Sequence, residues 1–416
     1  MEILGILCAV FMVLTTLLYA YQVVYMFLPL LPWKKKKHQP VKMHRYAILV
    51  PARNEKNVLG HLLSSINAQD YPKELVKVYV IADNCTDNTA QIARDHGATV
   101  FERFNKEQIG KGYALNYLLE QIDSTTGLDQ HDVFMVFDAD NLLEPDYLTQ
   151  INQTFSDGFQ AACGFRNTKN FNSNWISAGY GVWYLHDSSH LNRSRSMLGI
   201  CSGVSGTGFG FTRQLLERLG GWHFFTLTED LEFNAWCNSN GVKIGYCHDA
   251  VLYDEQPITF PVAWKQRIRW VQGGFQVTGK YTGKLLKGIF KGHWQSYSCI
   301  ENLTLTPWGA LLAVLGGGLS FLLVLLSAGF MGLVWAILGA LGGAILGTAF
   351  MGLVSVAMEW KRIQAKTWQK LLSSLAFTLF MFTFMICLFV APFKKFQWIP
   401  VEHTVAMDNA GLHKNK

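Results

Sequence analysis

The sequence predicts an α/β protein: a mostly parallel sheet flanked by helices, carried on about four transmembrane helices with amphipathic helices at the junction. Two observations predict this. From Tyr46 to Asp140, short apolar and β-branched runs alternate with stretches of helical spacing. Three runs, Ile3–Trp33, Asn302–Met358 and Leu371–Phe393, hold no charged residue, in a chain of 416 residues of which 50% are hydrophobic and 16% charged.

The first run, residues 1–33, supports one span, since a helix needs about 20 apolar residues to cross a bilayer. It is too long for the apolar part of a cleaved signal peptide, and lysines follow it where a small-residue cleavage site would stand. Lys34–Lys37, in a basic linker over 34–45, face the cytoplasm by the positive-inside rule. That puts the domain at 46–275 in the cytoplasm. The net charge of +6 needs no nucleic acid, because its lysines (Lys34–Lys37, Lys280, Lys284, Lys287, Lys291) gather where anionic lipid head groups lie. The eight cysteines form no C-x-x-C pair and read as reduced, mostly structural thiols.

Within the domain, YAILVPA (46–52), VKVYVIAD (76–83), ATVFER (98–103) and DVFMVFDAD (132–140) read as strands. VLGHLLSSINAQ (58–69), TAQIARDHG (89–97) and KGYALNYLLEQI (111–122) read as the helices between them. Such repeats imply right-handed crossovers and a ligand site beyond the carboxyl ends of the strands. No G-x-G-x-x-G follows the first strand, which weighs against a dinucleotide-dependent dehydrogenase.

The polar clusters fall at those ends: Pro51–Glu55, Asp83–Asp87 and Asp138–Asn141. An Asp or Asn after a strand also serves as a helix N-cap, an equally good reading for Asn84 and Asp87. Asp138 and Asp140 differ. Alternation along a strand end puts both carboxylates on one side, and two like charges so close call for a cation between them. Oxygen ligands of this kind suit Mg2+ or Mn2+ shared with substrate phosphates. Lys111 opens a helix, the wrong end for a cation unless an anion sits there. Arg94 and Arg103 read as surface charges. Further on, Ser205–Phe209 is a small-residue turn that permits close backbone approach. Thr228-Glu229-Asp230 precedes a helix over 231–241, where it could cap the helix or supply a general base. QRIRWVQGG (266–274) follows, then YTGKLLKGIFKGHW (281–294), in a region of amphipathic interface helices over 276–301. The segment 302–393 holds about three more spans, with the basic stretch 359–370 on the cytoplasmic side. The tail, 394–416, is then left outside unless the last run is re-entrant; if cytoplasmic, its residues 398–404 could cap the site.

In this order, Asp83, Asp138-Ala139-Asp140, Thr228-Glu229-Asp230 and Gln266-Arg267-Ile268-Arg269-Trp270 resemble the signature of the inverting family-2 glycosyltransferases. More narrowly the chain resembles the membrane synthases of cellulose, chitin, hyaluronan and poly-N-acetylglucosamine. The resemblance implies a GT-A fold, a UDP-sugar donor (UDP-glucose or UDP-N-acetylglucosamine) and a divalent metal. It implies that Ala52, Glu55 and Asp83 contact the uracil or ribose, with Lys111 near the nucleotide. Asp138 would lie against the diphosphate, and Asp140 would hold the metal with it. Asp230 would be the general base, beside Glu229. Gln266, Arg269 and Trp270 would close over the donor diphosphate and the acceptor sugar. The expected product is a β-linked surface polysaccharide made at the plasma membrane, with a glycolipid carrying one sugar as the alternative. Four spans are fewer than such synthases place round a polymer channel, which implies a homo-oligomer or an accessory subunit. A transporter would carry charges within its apolar runs, and these runs have none.

Overall fold

The computed structural model describes residues 1–32, 38–296, 301, 306–395, 403, 405–408 and 411–412. The Lys34–Lys37 run and residues 398–402 and 404 of the tail lie outside the described residues.

After the apolar helix α1 (Glu2–Phe27), the chain enters an eight-stranded mixed sheet of order β3-β2-β1-β4-β7-β6-β8-β5. Its first half is as the sequence implies. The strands β1 (Tyr46–Ala52), β2 (Val76–Asp83), β3 (Thr99–Arg103) and β4 (Val133–Val136) run parallel. The helices α2 (Leu59–Asn67), α3 (Thr89–Asp95) and α4 (Lys111–Thr125) join them. β1 shows why the register is fixed. Ala47 and Leu49 point to one core with Leu115 and Leu118 of α4, while Tyr46, Ile48 and Val50 point to the other with Leu59 and Leu62 of α2. A shift of one residue would exchange the two sets.

The second half departs from a mostly parallel sheet. It comprises β5 (Leu142–Leu143), α5 (Tyr147–Ser156), β6 (Ala161–Thr168), β7 (Phe209–Thr212), α8 (Arg213–Leu219), α9 (Glu229–Ser239) and β8 (Ile244–Asp254). Between β6 and β7 lie α6 (Trp175–His186), a π-helical segment Asp187–Asn192 and α7 (Arg193–Leu198). β7 pairs antiparallel with both β4 and β6, and β5 with β8. Helices still separate its strands and β6 pairs parallel with β8, but the strands insert out of chain order, so periodicity does not reveal their neighbours. It is fixed instead by aromatics. Trp222 is fully buried and stacks on Phe211 and Phe233 with ring centroids 5.2 and 5.5 Å apart. Each such pair contributes about 0.5–1.5 kcal/mol beyond burial.

Gly112, in the first turn of α4, is a close approach. A Cβ there would lie 1.9 Å from the Phe224 carbonyl oxygen. Gly112→Ala therefore costs about 1–3 kcal/mol of stability, read as a lowered Tm. Gly279→Ala, where a Cβ meets open space, leaves Tm unchanged or higher.

One helix, α10 (Phe260–Phe290), carries the QRIRW segment and continues through most of the amphipathic stretch, so the boundary expected at 275/276 falls inside it. Tyr281 and Leu285 are buried on one face, while Leu286, Phe290 and Trp294 stand exposed. Among the described residues, three apolar helical segments are long enough to cross a membrane: Glu2–Leu30, Leu311–Met358 and Thr367–Phe393. The expected pair over 302–358 is present as the two halves of α11 (Thr306–Met358), which meet at a non-helical kink at Gly329, where φ is 69° and ψ −171°. Its first half meets α1 at Gly316 and Phe11, and its second half meets α12 (Thr367–Val390) at Gly352 and Phe377.

α12 does not stand clear of the catalytic region. It packs along α6 and α10, anchored by Arg267, a fully buried side chain. Arg267 donates to the Phe380 carbonyl at 3.3 Å and to Thr383 Oγ1, and its guanidinium lies 4.5 Å from the Phe380 ring centroid. Gln272 of α10 donates to the Ala391 and Lys394 carbonyls at 2.9 and 2.6 Å. Beyond this point the described tail residues return to the domain, where His403 meets Glu55 and Val405 meets Glu255.

Candidate functional site

A cavity of about 540 Å³ opens at the carboxyl ends of β1, β2 and β4. Ala52, Glu55, Asp83, Lys111, Asp138, Asp140, Glu229, Asp230, Gln266, Arg269 and Trp270 all line it. Residues from five elements and the loops after β1 and β4, more than 200 positions apart in sequence, thus share one space.

The floor is set by two strained loops. Asn54 and Asn84, after β1 and β2, both have positive φ (58° and 54°), a conformation Asn tolerates through local side-chain hydrogen bonds. Asn54 Oδ1 accepts from the Thr86 N–H at 2.8 Å, and Asn84 Oδ1 from the Asn105 N–H at 2.9 Å. Asp83 is buried against Arg103, 2.7 Å away. Arg103 is therefore not the surface charge expected; it neutralises Asp83 inside the fold. Arg94, paired with Glu102 at 2.5 Å, is exposed as expected. Asp87 serves as a cap, accepting from the Thr89 N–H at 3.0 Å.

Asp138 and Asp140 reach the cavity by a different route from the one expected. β4 ends at Val136, and the two aspartates stand on a turn closed by a hydrogen bond from the Asn141 N–H to the Asp138 carbonyl at 3.0 Å. The Ser205–Phe209 segment holds this turn. Thr207 Oγ1 accepts from the Asp138 N–H at 3.0 Å and donates to Asn141 Oδ1 at 2.5 Å. Gly208 (φ 63°) must be glycine, because a Cβ there would lie 1.9 Å from Leu252 Cδ2.

Lys111 is the cavity's central cation. Its ammonium lies 2.5 Å from Asp138 Oδ1, 3.9 Å from Glu229 Oε1, and donates to the Gly206 carbonyl at 2.7 Å. Burial alone would lower its pKa, but Asp138 and Glu229 outweigh that and raise it. Opposite, at the start of α9, burial pushes the Glu229 and Asp230 carboxyls above the usual carboxylate range, with Lys111 and Arg269 opposing. Their mutual repulsion adds to the rise of Glu229. A base must be unprotonated, so this rise moves the acid limb of kcat/KM to higher pH than an ordinary aspartate gives. Glu229→Gln removes one negative charge beside Asp230. The acid limb then moves to lower pH, read from pH–rate profiles of the two proteins.

On α10, Gln266, Arg269 and Trp270 follow the i, i+3, i+4 spacing and so share one face, turned to the cavity. Arg269 donates to the Leu227 carbonyl at 3.2 Å and has no carboxylate partner among the described residues. Gln266 Oε1 is buried without a hydrogen-bond partner among them. A guanidinium with no carboxylate bound to it and an unfilled polar group are what an anionic, hydroxyl-bearing ligand would complete.

Four further residues escaped the sequence reading. Asp254 and Glu255, at the end of β8, line the cavity. Arg166 of β6 bonds Asp254 through Nε at 2.7 Å and stacks 3.9 Å from the Tyr184 ring centroid. Lys169 donates to the Asp140 carbonyl at 2.9 Å and lies 3.5 Å from Glu255. The signal for the two acids was a strand pattern ending in Asp-Glu; nothing marks the two cations. The tail also enters. His403 lies 3.0 Å from Glu55, and the Val405 N–H donates to Glu255 Oε2 at 3.1 Å. Burial would lower the pKa of His403, but Asp140, Glu55 and Glu255 raise it to about 10.

Among the described residues no group of three or more His, Cys, Asp or Glu is arranged to enclose a metal ion. Asp138 and Asp140 supply carboxylate oxygens, and Asp140 is held ionised, burial being outweighed by His403 and Lys169. Two carboxylates completed by substrate phosphates are a sufficient donor set for Mg2+ or Mn2+.

Residues 44–273 match the family described as glycosyltransferase like family 2. Beta-monoglucosyldiacylglycerol synthase of Synechocystis sp. is 29% identical over 235 residues, 55% of this chain and 47% of that protein. Poly-beta-1,6-N-acetyl-D-glucosamine synthase of Staphylococcus epidermidis is 27% identical over 244 residues, 58% of this chain and 57% of that protein. The matches thus span about half the length of these relatives. Among solved structures, a mannosyltransferase from Pyrobaculum calidifontis in complex with GDP-Man and Mn2+ superposes with a TM-score of 0.56 at 20% identity, over 92% of this chain and 98% of that one. This likeness shows the GT-A fold. With the family match covering more than half its residues, the chain belongs to the family-2 glycosyltransferases.

Proposed function

We propose that the protein is an inverting glycosyltransferase at the plasma membrane, its catalytic domain cytoplasmic, that moves a sugar from a UDP-sugar to the hydroxyl of a membrane lipid. The observation that supports the lipid acceptor is the wall of the cavity. Phe384 and Leu388 of α12, an apolar helix of membrane-spanning length, line it together with Asp230 and Trp270. An acceptor whose hydroxyl reaches Asp230 along that wall keeps its chains beside apolar surface.

The nucleoside would lie over Ala52, Glu55 and Asp83. Lys111 and Arg269 stand where charge develops on the departing diphosphate, and fixed cations there stabilise the transition state without reorganising. A divalent cation held by Asp138 and Asp140 would add to this neutralisation. The acceptor oxygen attacks the anomeric carbon from the face opposite the diphosphate. Asp230 takes its proton, the C–O bond to phosphate breaks, and UDP leaves with the bonding pair. A single displacement converts an α-linked donor into a β-linked product. Trp270, edge-on to Tyr180 with centroids 5.8 Å apart, offers a flat face against which the sugar can rest.

A growing polysaccharide is the second reading. It is favoured by the complete Gln266, Arg269 and Trp270 face, and would call for a homo-oligomer or accessory subunit to enclose the chain. Membranes containing the protein are incubated with radiolabelled UDP-glucose or UDP-N-acetylglucosamine. Label in one organic-soluble glycolipid supports the lipid acceptor, and long water-soluble chains overturn it. EDTA abolishes incorporation, and added Mg2+ or Mn2+ restores it.

A further inference from the structure

The cavity continues past Asp230 into a polar recess walled by Asp187, Arg195, Ser202, Asn234 and Asn238. Two elements build it. On α9, Asp230, Asn234 and Asn238 stand four residues apart, so they share one face, and that face is the recess wall. Across from it the helix α6 passes into the π-helical segment that begins at Asp187. Such wide turns recur at functional sites.

Most polar atoms of the recess are already engaged. Asn234 clamps Val204, accepting from its N–H and donating to its carbonyl, both at 2.9 Å. Two hydrogen-bond acceptors are left unfilled. Asn238 donates to the Asn234 carbonyl at 2.9 Å and to Cys201 Sγ at 3.3 Å, but its Oδ1 is buried and unpartnered among the described residues. The Asp187 carboxylate makes no hydrogen bond or ion pair among them either. Burial raises the pKa of Asp187, and Arg195 and Arg166 oppose that rise from nearby, though Arg195 is paired with Glu301 and Arg166 with Asp254.

Unfilled acceptors select a ligand rich in donors. A phosphodiester head group brings no donor for them. A bare diacylglycerol has one hydroxyl, and the reaction at Asp230 uses it. We propose that the recess is a subsite for a sugar already present on the acceptor, its hydroxyls donating to Asp187 and Asn238. This rests on the transferase reading above and names the acceptor class as a glycosylated lipid.

The test uses the full chain in lipid nanodiscs with UDP-glucose and, separately, UDP-N-acetylglucosamine. Diacylglycerol and monoglucosyldiacylglycerol are compared as acceptors in wild type, Asp187→Asn and Asp187→Ser. The wild type is expected to favour the glucosylated lipid at least ten-fold in kcat/KM. Both variants are expected to lose about ten-fold of that preference through acceptor KM, with donor KM and Tm unchanged. Equal use of the two lipids by the wild type overturns the subsite. So does an unchanged preference in both variants, whether or not Tm falls. Transfer to neither lipid with either donor sinks the transferase reading itself.

Discussion

Asp230→Asn is expected to lower kcat by about 10²–10⁴-fold, the contribution of a positioned general base, while the affinity for the UDP-sugar stays near the wild-type value. The amide has the shape of the carboxylate but accepts no proton. The donor-side groups remain in place: Lys111 keeps its contacts with Asp138 and the Gly206 carbonyl, and Arg269 keeps its bond to Leu227. Removing a buried negative charge beside Glu229 also relieves repulsion, so the fold does not suffer. UDP release measured against acceptor concentration, with calorimetric titration of UDP into the same protein, separates the two quantities. An equal loss of nucleotide affinity and turnover would assign Asp230 to holding the donor instead.

Why Asp230 could be picked out before any coordinates, and Arg166 could not, follows from how each is built in. Asp83, Asp138, Asp140 and Asp230 stand at the ends of strands or at a helix start, where an acidic residue after an apolar run is visible as a break in pattern. The parallel half of the sheet was legible for the same reason: strand and helix periods alternate, and β1 and β2 begin and end where the apolar runs do. The antiparallel half has no such rhythm. β7 is only Phe209–Thr212, running straight into α8, and its place between β4 and β6 is fixed by contacts distant in sequence. Arg103 shows the limit from another side. Its partner, Asp83, lies twenty positions away on the neighbouring strand, and only the register of β2 against β3 brings the charges to 2.7 Å. The pair of apolar helices in 302–358 was legible from length alone, but its dividing point at Gly329 was not, because no polar residue marks it.

Arg166→Met carries the largest expected effect on stability, a loss of about 3–5 kcal/mol. Asp254 is buried, one of its oxygens meets only Arg166, and the other has no hydrogen-bond partner among the described residues. Burial pushes the Asp254 carboxyl up to about 6 even with Arg166 opposing it. Without the guanidinium the carboxylate faces Asp140 and Asp138 uncompensated, so folding must either bury an unpaired charge or take up a proton. The variant is therefore relatively more stable near pH 5 than at pH 8, because a proton on Asp254 then replaces the lost cation. Thermal melts across that range check the sign. The double variant Arg166→Met, Asp254→Leu regains most of the loss, since replacing both partners of a buried pair is far cheaper than removing one. Activity does not return with it. Arg166 also donates to the Ser205 carbonyl, beside the Gly206 carbonyl that receives Lys111. A protein that melts normally but turns over slowly would separate the two tasks of this arginine: neutralising a buried acid, and holding the turn on which Lys111 depends.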